Sequence, residues 1–263
     1  MIRPSHARIP SLQHAISSGA GGVHSPEVSL VSARISDVID ATPRSRLIVV
    51  DLAGRPFDFL AGQAITAGLH GHHERWPYSI ACSPERSREK DCLEILVGLE
   101  TGRHVDGHPS LATRDMVLDI EGPLGTFTFP AAPDQDRILF VAGGVGISPL
   151  RGMLDHVLRR PEPFRVSVLY SARRADEFAF ISELRAHVDA GRIELHQTVT
   201  RDDGAWNGGR GRIGRTHFEA VLHEPAATLC FVCGPPQFVS ESAGALSALG
   251  VPAAAIRSEQ WGK

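Results

Sequence analysis

A glycine-rich loop, Gly143-Gly144-Val145-Gly146-Ile147-Ser148-Pro149, has the spacing with the clearest chemical use in this sequence. Gly144 and Gly146 occupy the first two positions of a dinucleotide-binding loop, and Pro149 takes the position of the third glycine. Glycines let the backbone approach a pyrophosphate, and a helix that follows them offers free N–H groups and the positive end of its dipole. Proline is compatible with the first turn of that helix, where its missing N–H is not needed. If a strand precedes the loop and a helix follows it, the loop predicts a site for nucleotide phosphates.

Four cysteines raise the question of a metal or redox site. Cys230 and Cys233 have the spacing of metal ligands or of a redox pair, but Cys82 and Cys92 do not form a second such pair. An iron–sulfur site with four cysteines needs pairs at cluster spacing, so it is excluded, and we expect no metal site. The apolar segment around Cys230 predicts a core strand that ends at Cys233.

The composition limits the classes of partner. The chain has 263 residues, 42% hydrophobic and 22% charged, which suggests two globular domains. A net charge of -3 gives no support for nucleic-acid binding or a polybasic membrane surface. No apolar run approaches the ~20 residues of a membrane span, so we expect no membrane partner and a cytoplasmic location. Residues 1–26 are predicted to form a flexible tail. A transit peptide is the alternative, because the first acidic residue of the chain is Glu27.

The hydrophobic pattern divides the rest of the chain into two domains. From residue 27 to 131, short apolar segments with a period close to two predict a small antiparallel β-barrel or sandwich without helices. From residue 135 to 263, apolar runs alternate with stretches of helical spacing and predict an α/β domain with a parallel five-stranded sheet. The five predicted strands are 137–142, 165–170, 193–199, 228–233 and 254–258. The glycine-rich loop follows the first of them, at the edge where parallel sheets gather their ligands.

Four motifs, in order along the chain, resemble those of the ferredoxin–NADP reductase family. Pro77-Tyr78-Ser79 is similar to the family's flavin motif Arg-x-Tyr-Ser, and Gly122-Pro123-Leu124-Gly125-Thr126-Phe127 to its Gly-Pro-x-Gly-x-Phe. The glycine-rich loop resembles its pyridine-nucleotide loop, and Cys233-Gly234-Pro235-Pro236 resembles its nicotinamide motif Cys-Gly-Pro-Pro. The resemblance covers residues 27–263. It implies a flavin-binding antiparallel barrel followed by an NAD(P)-binding domain. This agrees with the hydrophobic patterns of residues 27–131 and 135–263.

The resemblance also implies roles for individual residues. Catalytic roles fall to Ser79, whose hydroxyl would lie near flavin N5, to Cys233 beside the nicotinamide, and to Glu259 near the flavin. Glu259 and Trp261 match the Glu-x-aromatic ending of plant-type members, in which the ring stacks on the flavin; a solvated tail is the alternative. The implied flavin contacts are Pro77, Tyr78, Ser79, Gly122, Gly125, Phe127 and Trp261, and the implied nucleotide contacts are Gly143, Gly144, Val145, Gly146, Pro149, Gly234 and Pro235.

One position departs from the flavin motif. The family's arginine lies two residues before the tyrosine, whereas here that residue is Trp76, and Arg75 comes one residue earlier. A shift of one residue along a strand turns a side chain to the other face. Either a bulge returns Arg75 to the flavin phosphates or Trp76 changes how the flavin is held, so both are candidate contacts. Segment 102–110 also departs from the family's phosphate loop. The resemblance implies FAD, and these departures leave FMN as the alternative.

Arginines beyond the predicted strands bear on the choice of nucleotide. Tyr170 and Arg173 stand at the end of the second strand, where no acidic residue is placed to bind a ribose 2′-hydroxyl. Thr200 and Arg201 follow the third strand, where NADP-using members carry Ser-Arg, and arginine suits a phosphate dianion. These residues favour NADPH over NADH, whereas the two aspartates that follow them oppose that preference.

The sequence thus predicts a flavin-dependent oxidoreductase. Hydride would pass from NAD(P)H to bound flavin, and electrons would then leave to a protein acceptor, either a ferredoxin or an oxygenase component. Two alternatives stay open: a reductase of free flavin or another small acceptor, and a non-catalytic nucleotide-binding sensor or electron-transfer subunit.

Overall fold

The computed structural model describes residues 28–99, 105–201, 204 and 206–261. The predicted tail, the first residues of segment 102–110 and the aspartates at 202 and 203 lie outside the described residues. None of the helices in the described ranges is long and apolar enough to cross a membrane.

The first domain is an antiparallel sheet of six strands that nearly closes into a barrel, as predicted. The strands are β1 (Ser29–Thr42), β2 (Ser45–Asp51), β3 (Ala64–Leu69), β4 (Trp76–Ser79), β5 (Cys92–Gly98) and β6 (Val117–Leu124). Their order in the sheet is β4-β3-β6-β1-β2-β5. A bridge from Ile80, just after β4, to Ile95 in β5 joins the two ends of the sheet. Alternate residues of the strands face inward and bury a shared core.

The prediction of a first domain without helices is wrong, because the described residues of that domain include one α-helix and a single 3-10 turn at Pro109–Leu111. Helix α1 (Pro84–Lys90) lies between β4 and β5. The hydroxyl of Ser83 accepts a hydrogen bond from the backbone N–H of Arg86, and proline occupies the first helical position. Asp91 ends the helix in the left-handed conformation. The helix is too short to show a helical period, so only its Ser-Pro start could have indicated it.

In the described residues, the second domain is a parallel sheet with four α-helices. Its strands are β7 (Arg137–Gly143), β8 (Arg165–Ala172), β9 (Glu194–Val199), β10 (Gly209–Arg210), β11 (Thr228–Gly234) and β12 (Ile256–Gln260), in the order β10-β9-β8-β7-β11-β12. The helices are α2 (Ile147–Arg159), α3 (Ile181–Asp189), α4 (Arg215–Val221) and α5 (Pro236–Ala248). All five predicted strands are present. A sixth, β10, was not predicted, because two residues are too few to show a period.

Close contacts between α2 and the barrel fix the position of β4 relative to the second domain. The buried hydroxyl of Ser148 donates a hydrogen bond to the carbonyl oxygen of Ser79 at 3.2 Å. A Cβ atom on Gly152 would lie 2.8 Å from the carbonyl oxygen of Cys82, so the helix can approach this closely only because residue 152 is glycine. The segment that carries Ser79 is therefore held directly against the nucleotide-binding half of the chain.

Candidate active site

The glycine-rich loop follows β7 and leads into α2, as the motif requires. Residues Gly144–Gly146 form one 3-10 turn, and Pro149 is the third residue of α2. Gly144 has a φ of +56°, and no described atom lies within 4 Å of the position its Cβ would take. A Cβ on Gly146 would lie 2.2 Å from the carbonyl oxygen of Cys233. The loop is thus open on one side and packed against the end of β11 on the other.

A cleft of about 540 Å³ lies at the carboxyl ends of the parallel strands. Most of the predicted nucleotide contacts line it: Gly143, Gly144, Val145, Gly146, Tyr170, Arg173, Thr200, Gly234 and Pro235, together with Trp261. Arg201 follows Thr200 and is exposed, with its backbone N–H bonded to the carbonyl oxygen of Arg173. Arg44 and Arg212 also line the cleft, although no pattern in the sequence indicated them. Neither belongs to a motif; Arg212 follows the unpredicted strand β10.

Tyr170 stabilises the glycine-rich loop through its hydroxyl group. Its hydroxyl donates to the carbonyl oxygen of Gly144 at 3.2 Å and accepts from the backbone N–H of Ala179 at 3.1 Å. The ring is fully buried, and burial raises the pKa of the phenol far above its usual value. Tyr170 therefore acts as a neutral support that holds the loop in place.

The three predicted catalytic residues meet beside this cleft. The hydroxyl of Ser79 donates to Oε2 of Glu259 at 3.5 Å, although the two residues are 180 positions apart. Nε1 of Trp261 donates to the same oxygen at 2.8 Å. Cys233 pairs with Glu259 across the β11–β12 ladder. Glu259 and Trp261 are thus packed beside Ser79 and Cys233, and the alternative of a solvated tail is wrong for these two residues.

Burial sets the protonation of two of these residues. Burial raises the pKa of Glu259 to about 7, against the opposing hydrogen bonds from Trp261 and Ser79. Burial, and then the charge of Glu259, raises the pKa of the Cys233 thiol well above its usual value. Cys233 is therefore a neutral thiol at pH 7, suited to positioning a ring rather than to nucleophilic attack. Glu259 changes charge near neutral pH, as a proton donor and acceptor must.

The side chains of Trp76 and Tyr78 lie on the same side of β4, whereas the side chain of Arg75 contacts a buried aspartate. The Tyr78 hydroxyl lies 3.1 Å from Nε2 of His108, and the rings of Trp76 and His108 lie 4.7 Å apart. The guanidinium of Arg75 instead lies 3.8 Å from Oδ2 of the buried Asp119. No bulge interrupts the described β3–β4 ladder from Ser79 to Trp76. Arg75 therefore points to Asp119, and Trp76 takes the side of Tyr78 instead.

The segment 122–127 passes from β6 to the second domain. A Cβ on Gly122 would lie 2.8 Å from Cγ2 of Ile65, so this glycine permits close strand packing. Gly125 has a φ of +88°, and its Cβ position would be 4.0 Å from Oε1 of Glu259. Phe127 is buried and packs edge-on against Phe231, with 5.8 Å between ring centres. Gly125 thus borders the site, whereas Phe127 lies in the core between the two domains.

Comparison with known proteins places the chain in a family. A family model described as the oxidoreductase NAD-binding domain matches residues 140–243. The chain is 30% identical over 241 residues to ferredoxin–NADP reductase B of Sorangium cellulosum, covering 87% of this chain and 96% of that one. It belongs to the ferredoxin–NADP reductase family. The glycine-rich loop and the Gly234-Pro235 segment, two of the four motifs, line one cleft in a chain of the family they resemble.

A second relative and a solved structure extend the comparison. The reductase component of phenol 2-monooxygenase from a Pseudomonas strain is 28% identical over 213 residues, which cover 78% of this chain and 58% of that protein's length. A crystal structure of the Amycolatopsis cytochrome P450 reductase GcoB has the same fold, with a TM-score of 0.79 and 23% identity. The match covers 93% of this chain and 73% of that one. The arrangement of barrel and α/β domain is therefore that of the family.

The raised pKa of Glu259 predicts a pH-dependent stability. The native state keeps the proton up to about pH 7, whereas the unfolded chain releases it near the ordinary value of 4.5. Because the unfolded state then binds fewer protons, the free energy of unfolding should fall by about 2–3 kcal/mol as the pH rises from 5 to 8. Urea unfolding of Glu259→Gln should lack this component. Glu121→Gln, at an exposed position of β6, serves as the control and should keep it; equal profiles for the wild type and Glu259→Gln would contradict the assignment.

Proposed function

We propose that the protein is a flavin-dependent oxidoreductase that takes hydride from NAD(P)H and passes electrons to a protein acceptor. The observation that carries this proposal is the meeting of Ser79 from the barrel with Cys233 and Glu259 from the second domain, beside the nucleotide cleft. A nucleotide on the glycine-rich loop and a flavin against β4 would both reach this point. The two domains would then bring their ligands together for direct transfer.

The described residues fit both groups. The open face of Gly144 and the N-terminus of α2 suit a diphosphate, and Tyr78, Ser79 and Trp261 suit a flat aromatic ring. When bound, a flavin supplies the ring nitrogen that accepts hydride and the means to release electrons one at a time. FAD is the expected form, although the absence of an arginine at position 76 leaves its phosphates to other residues.

The chain's own residues would orient the rings and manage the proton. Trp261 lines the cleft and would limit the space in which a nicotinamide ring can lie, and Cys233 is buried in the strand that ends beside it. The Ser79 hydroxyl bonds the carboxyl group of Glu259, so a proton can move between them without passing through bulk water. Because the pKa of Glu259 is about 7, both protonation states are populated at neutral pH. The carboxyl group can therefore accept or return a proton as the acceptor removes electrons.

A protein acceptor is the partner that the comparisons favour. One relative is named a ferredoxin–NADP reductase, and the other is the reductase component of a monooxygenase. Each name pairs a reductase with another protein, a ferredoxin in one case and a monooxygenase in the other. We propose the same class of acceptor for this chain, a ferredoxin or an oxygenase component. Reduction of free flavin or another small acceptor is the second candidate.

The deciding experiment identifies the flavin and its reductant. The purified protein should be yellow, release FAD on denaturation, and be bleached by NADPH or NADH without added metal. A colourless protein that binds neither FAD nor FMN would overturn the proposal and favour a nucleotide-binding sensor. Bleaching followed by reoxidation with free flavin alone, and with neither ferredoxin nor oxygenase, would favour the small-acceptor alternative.

Replacing Cys233 with alanine should slow hydride transfer without releasing the flavin. A thiol that only aligns the ring contributes through proximity, so we expect a ten- to hundredfold loss of rate, ~1.4–2.7 kcal/mol. Stopped-flow reduction by NADPH measures it. Cys230→Ala is the matched control, since Cys230 is equally buried in the same strand and should change stability rather than rate. Equal rate losses in both variants would contradict the role of Cys233.

The choice of nucleotide should depend on the arginines at the ribose end of the cleft. Among the candidates Arg173, Arg201 and Arg212, the first and third line the cleft. Removing a residue that pairs with the 2′-phosphate should raise the KM for NADPH ten- to hundredfold and spare NADH. Arg165→Ala, at the opposite end of β8, is the charge-matched control. Parallel losses for both nucleotides in all three variants would remove the preference for NADPH.

A further inference from the structure

The turn between β1 and β2 brings a cation from the barrel to the nucleotide cleft. Thr42, Arg44 and Ser45 line the cleft on the barrel side, and Gly143–Gly146 line it on the other. No motif of the sequence singles out this turn, and the barrel is the flavin-binding half of the proposed enzyme. A barrel side chain at the nucleotide cleft therefore calls for a separate explanation.

Hydrogen bonds hold this turn rigidly. The hydroxyl groups of Thr42 and Ser45, both buried, lie 2.8 Å apart, and the backbone N–H of Arg44 donates to Oγ1 of Thr42 at 3.1 Å. The carbonyl oxygen of Arg44 accepts from the backbone N–H of Leu99 at 2.7 Å. The Arg44 backbone is thus fixed before any ligand binds, which lowers the entropic cost of using its side chain.

The position along the cleft indicates which part of a nucleotide Arg44 would meet. Ser45 pairs with Gly98 across the β2–β5 ladder. A Cβ on Gly98 would lie 3.7 Å from Cγ1 of Val145, within the glycine-rich loop. The turn therefore stands beside the phosphate loop. Arg173 stands elsewhere, beyond β8, with the predicted ribose residues.

The glycine-rich loop has no basic residue of its own to bind a diphosphate, and Arg44 could supply that positive charge. No lysine or arginine occurs from Gly143 to Leu150, and the next residue, Arg151, is bound to Glu94 and Glu183. Among the described residues, none forms a hydrogen bond or ion pair with the Arg44 guanidinium, whereas Arg46 pairs with Asp40. A dinucleotide diphosphate carries two negative charges, and arginine binds phosphate through charge-assisted hydrogen bonds.

We propose that Arg44 binds the diphosphate of NAD(P)H from the barrel side, opposite the backbone N–H groups of the glycine-rich loop. This inference rests on the proposed function, because it assigns a residue to the nucleotide of the same site. The nucleotide is then held by both domains at once, and the barrel contributes to nucleotide affinity as well as to flavin binding.

Three substrates with different phosphates test the assignment. Arg44→Gln should raise the KM for NADH and for NADPH by the same factor, ten- to hundredfold. It should leave the reaction with reduced nicotinamide riboside, which has no phosphate, unchanged. Arg44→Lys, which keeps the charge but not the planar fork, should lose less. Arg88→Gln on the exposed face of α1 makes the same change of charge away from the cleft and should behave as wild type.

Two other outcomes of these kinetics overturn the proposal. A loss confined to NADPH would move Arg44 to the 2′-phosphate, and an equal loss with the riboside would make it a structural residue of the turn. Calorimetric binding of ADP-ribose, which has the diphosphate but no redox activity, separates this inference from the proposed function. If the wild type binds ADP-ribose but oxidises neither NADH nor NADPH, the proposed function fails. If Arg44→Gln binds ADP-ribose as tightly as wild type does, the Arg44 inference fails.

Discussion

Replacing Arg151 with methionine is expected to lower the free energy of unfolding by about 3–5 kcal/mol. The side chain is only 5% exposed, and it joins the second domain to the barrel. It binds Glu94 and Glu183 and donates to the carbonyl oxygen of Ala81 at 2.9 Å. Burial alone would lower the pKa of Arg151, but the bonds to Glu183 and Glu94 raise it, so the group stays charged. Its removal would leave the carboxylate of Glu94, which is 12% exposed, without its cation.

Urea unfolding of matched variants measures this effect. Arg159→Met removes a more exposed arginine of the same helix, paired with Glu89 and Asp155, and should cost about 1 kcal/mol or less. The double variant Arg151→Met/Glu94→Gln should recover part of the loss, because it removes the unpaired charge as well. Similar losses in the free energy of unfolding for Arg151→Met and Arg159→Met would show that burial does not determine how strongly the ion pairs of Arg151 stabilise the protein.

Gly146→Ala should reduce hydride transfer by at least about a hundredfold. The added Cβ would lie 2.2 Å from the carbonyl oxygen of Cys233, a backbone atom that cannot rotate away. Either the glycine-rich loop or the end of β11 must therefore move, and both belong to the site. A displacement of about 1 Å at reacting groups costs on the order of a hundredfold in rate.

Single-turnover reduction by NADPH and calorimetric nucleotide binding test this prediction. Gly244→Ala is the matched control: no described atom lies within 4 Å of its Cβ position, and the residue lies inside α5. That substitution should stabilise the helix by about 0.5–1 kcal/mol and leave the rate unchanged. An unchanged rate in Gly146→Ala would mean that the loop tolerates displacement, and the tight packing against β11 would then not matter for transfer.

The fold was predictable where local pattern controls it. The period of two in the apolar residues predicted the barrel strands. The alternation of apolar runs with stretches of helical spacing predicted the five long parallel strands. Helix α1 and strand β10 were missed because seven and two residues, respectively, are too few to show a period. Their boundaries depend on capping at Ser83 and on pairing of Gly209 with Thr198, which are contacts rather than patterns.

The sequence by itself determined the glycine-rich loop, the order of the four motifs and the residue types of the site. These follow from short segments whose backbone needs, such as glycine beside a phosphate, are local. Only the tertiary structure decided that Ser79 meets Glu259, that Arg75 turns to Asp119 while Trp76 takes the side of Tyr78, and that Arg44 reaches the nucleotide cleft. Each of these depends on which strands become neighbours and on how closely α2 packs against the barrel. Such contacts join residues far apart in the chain, and their energy comes from burial and charge pairing that no short segment contains.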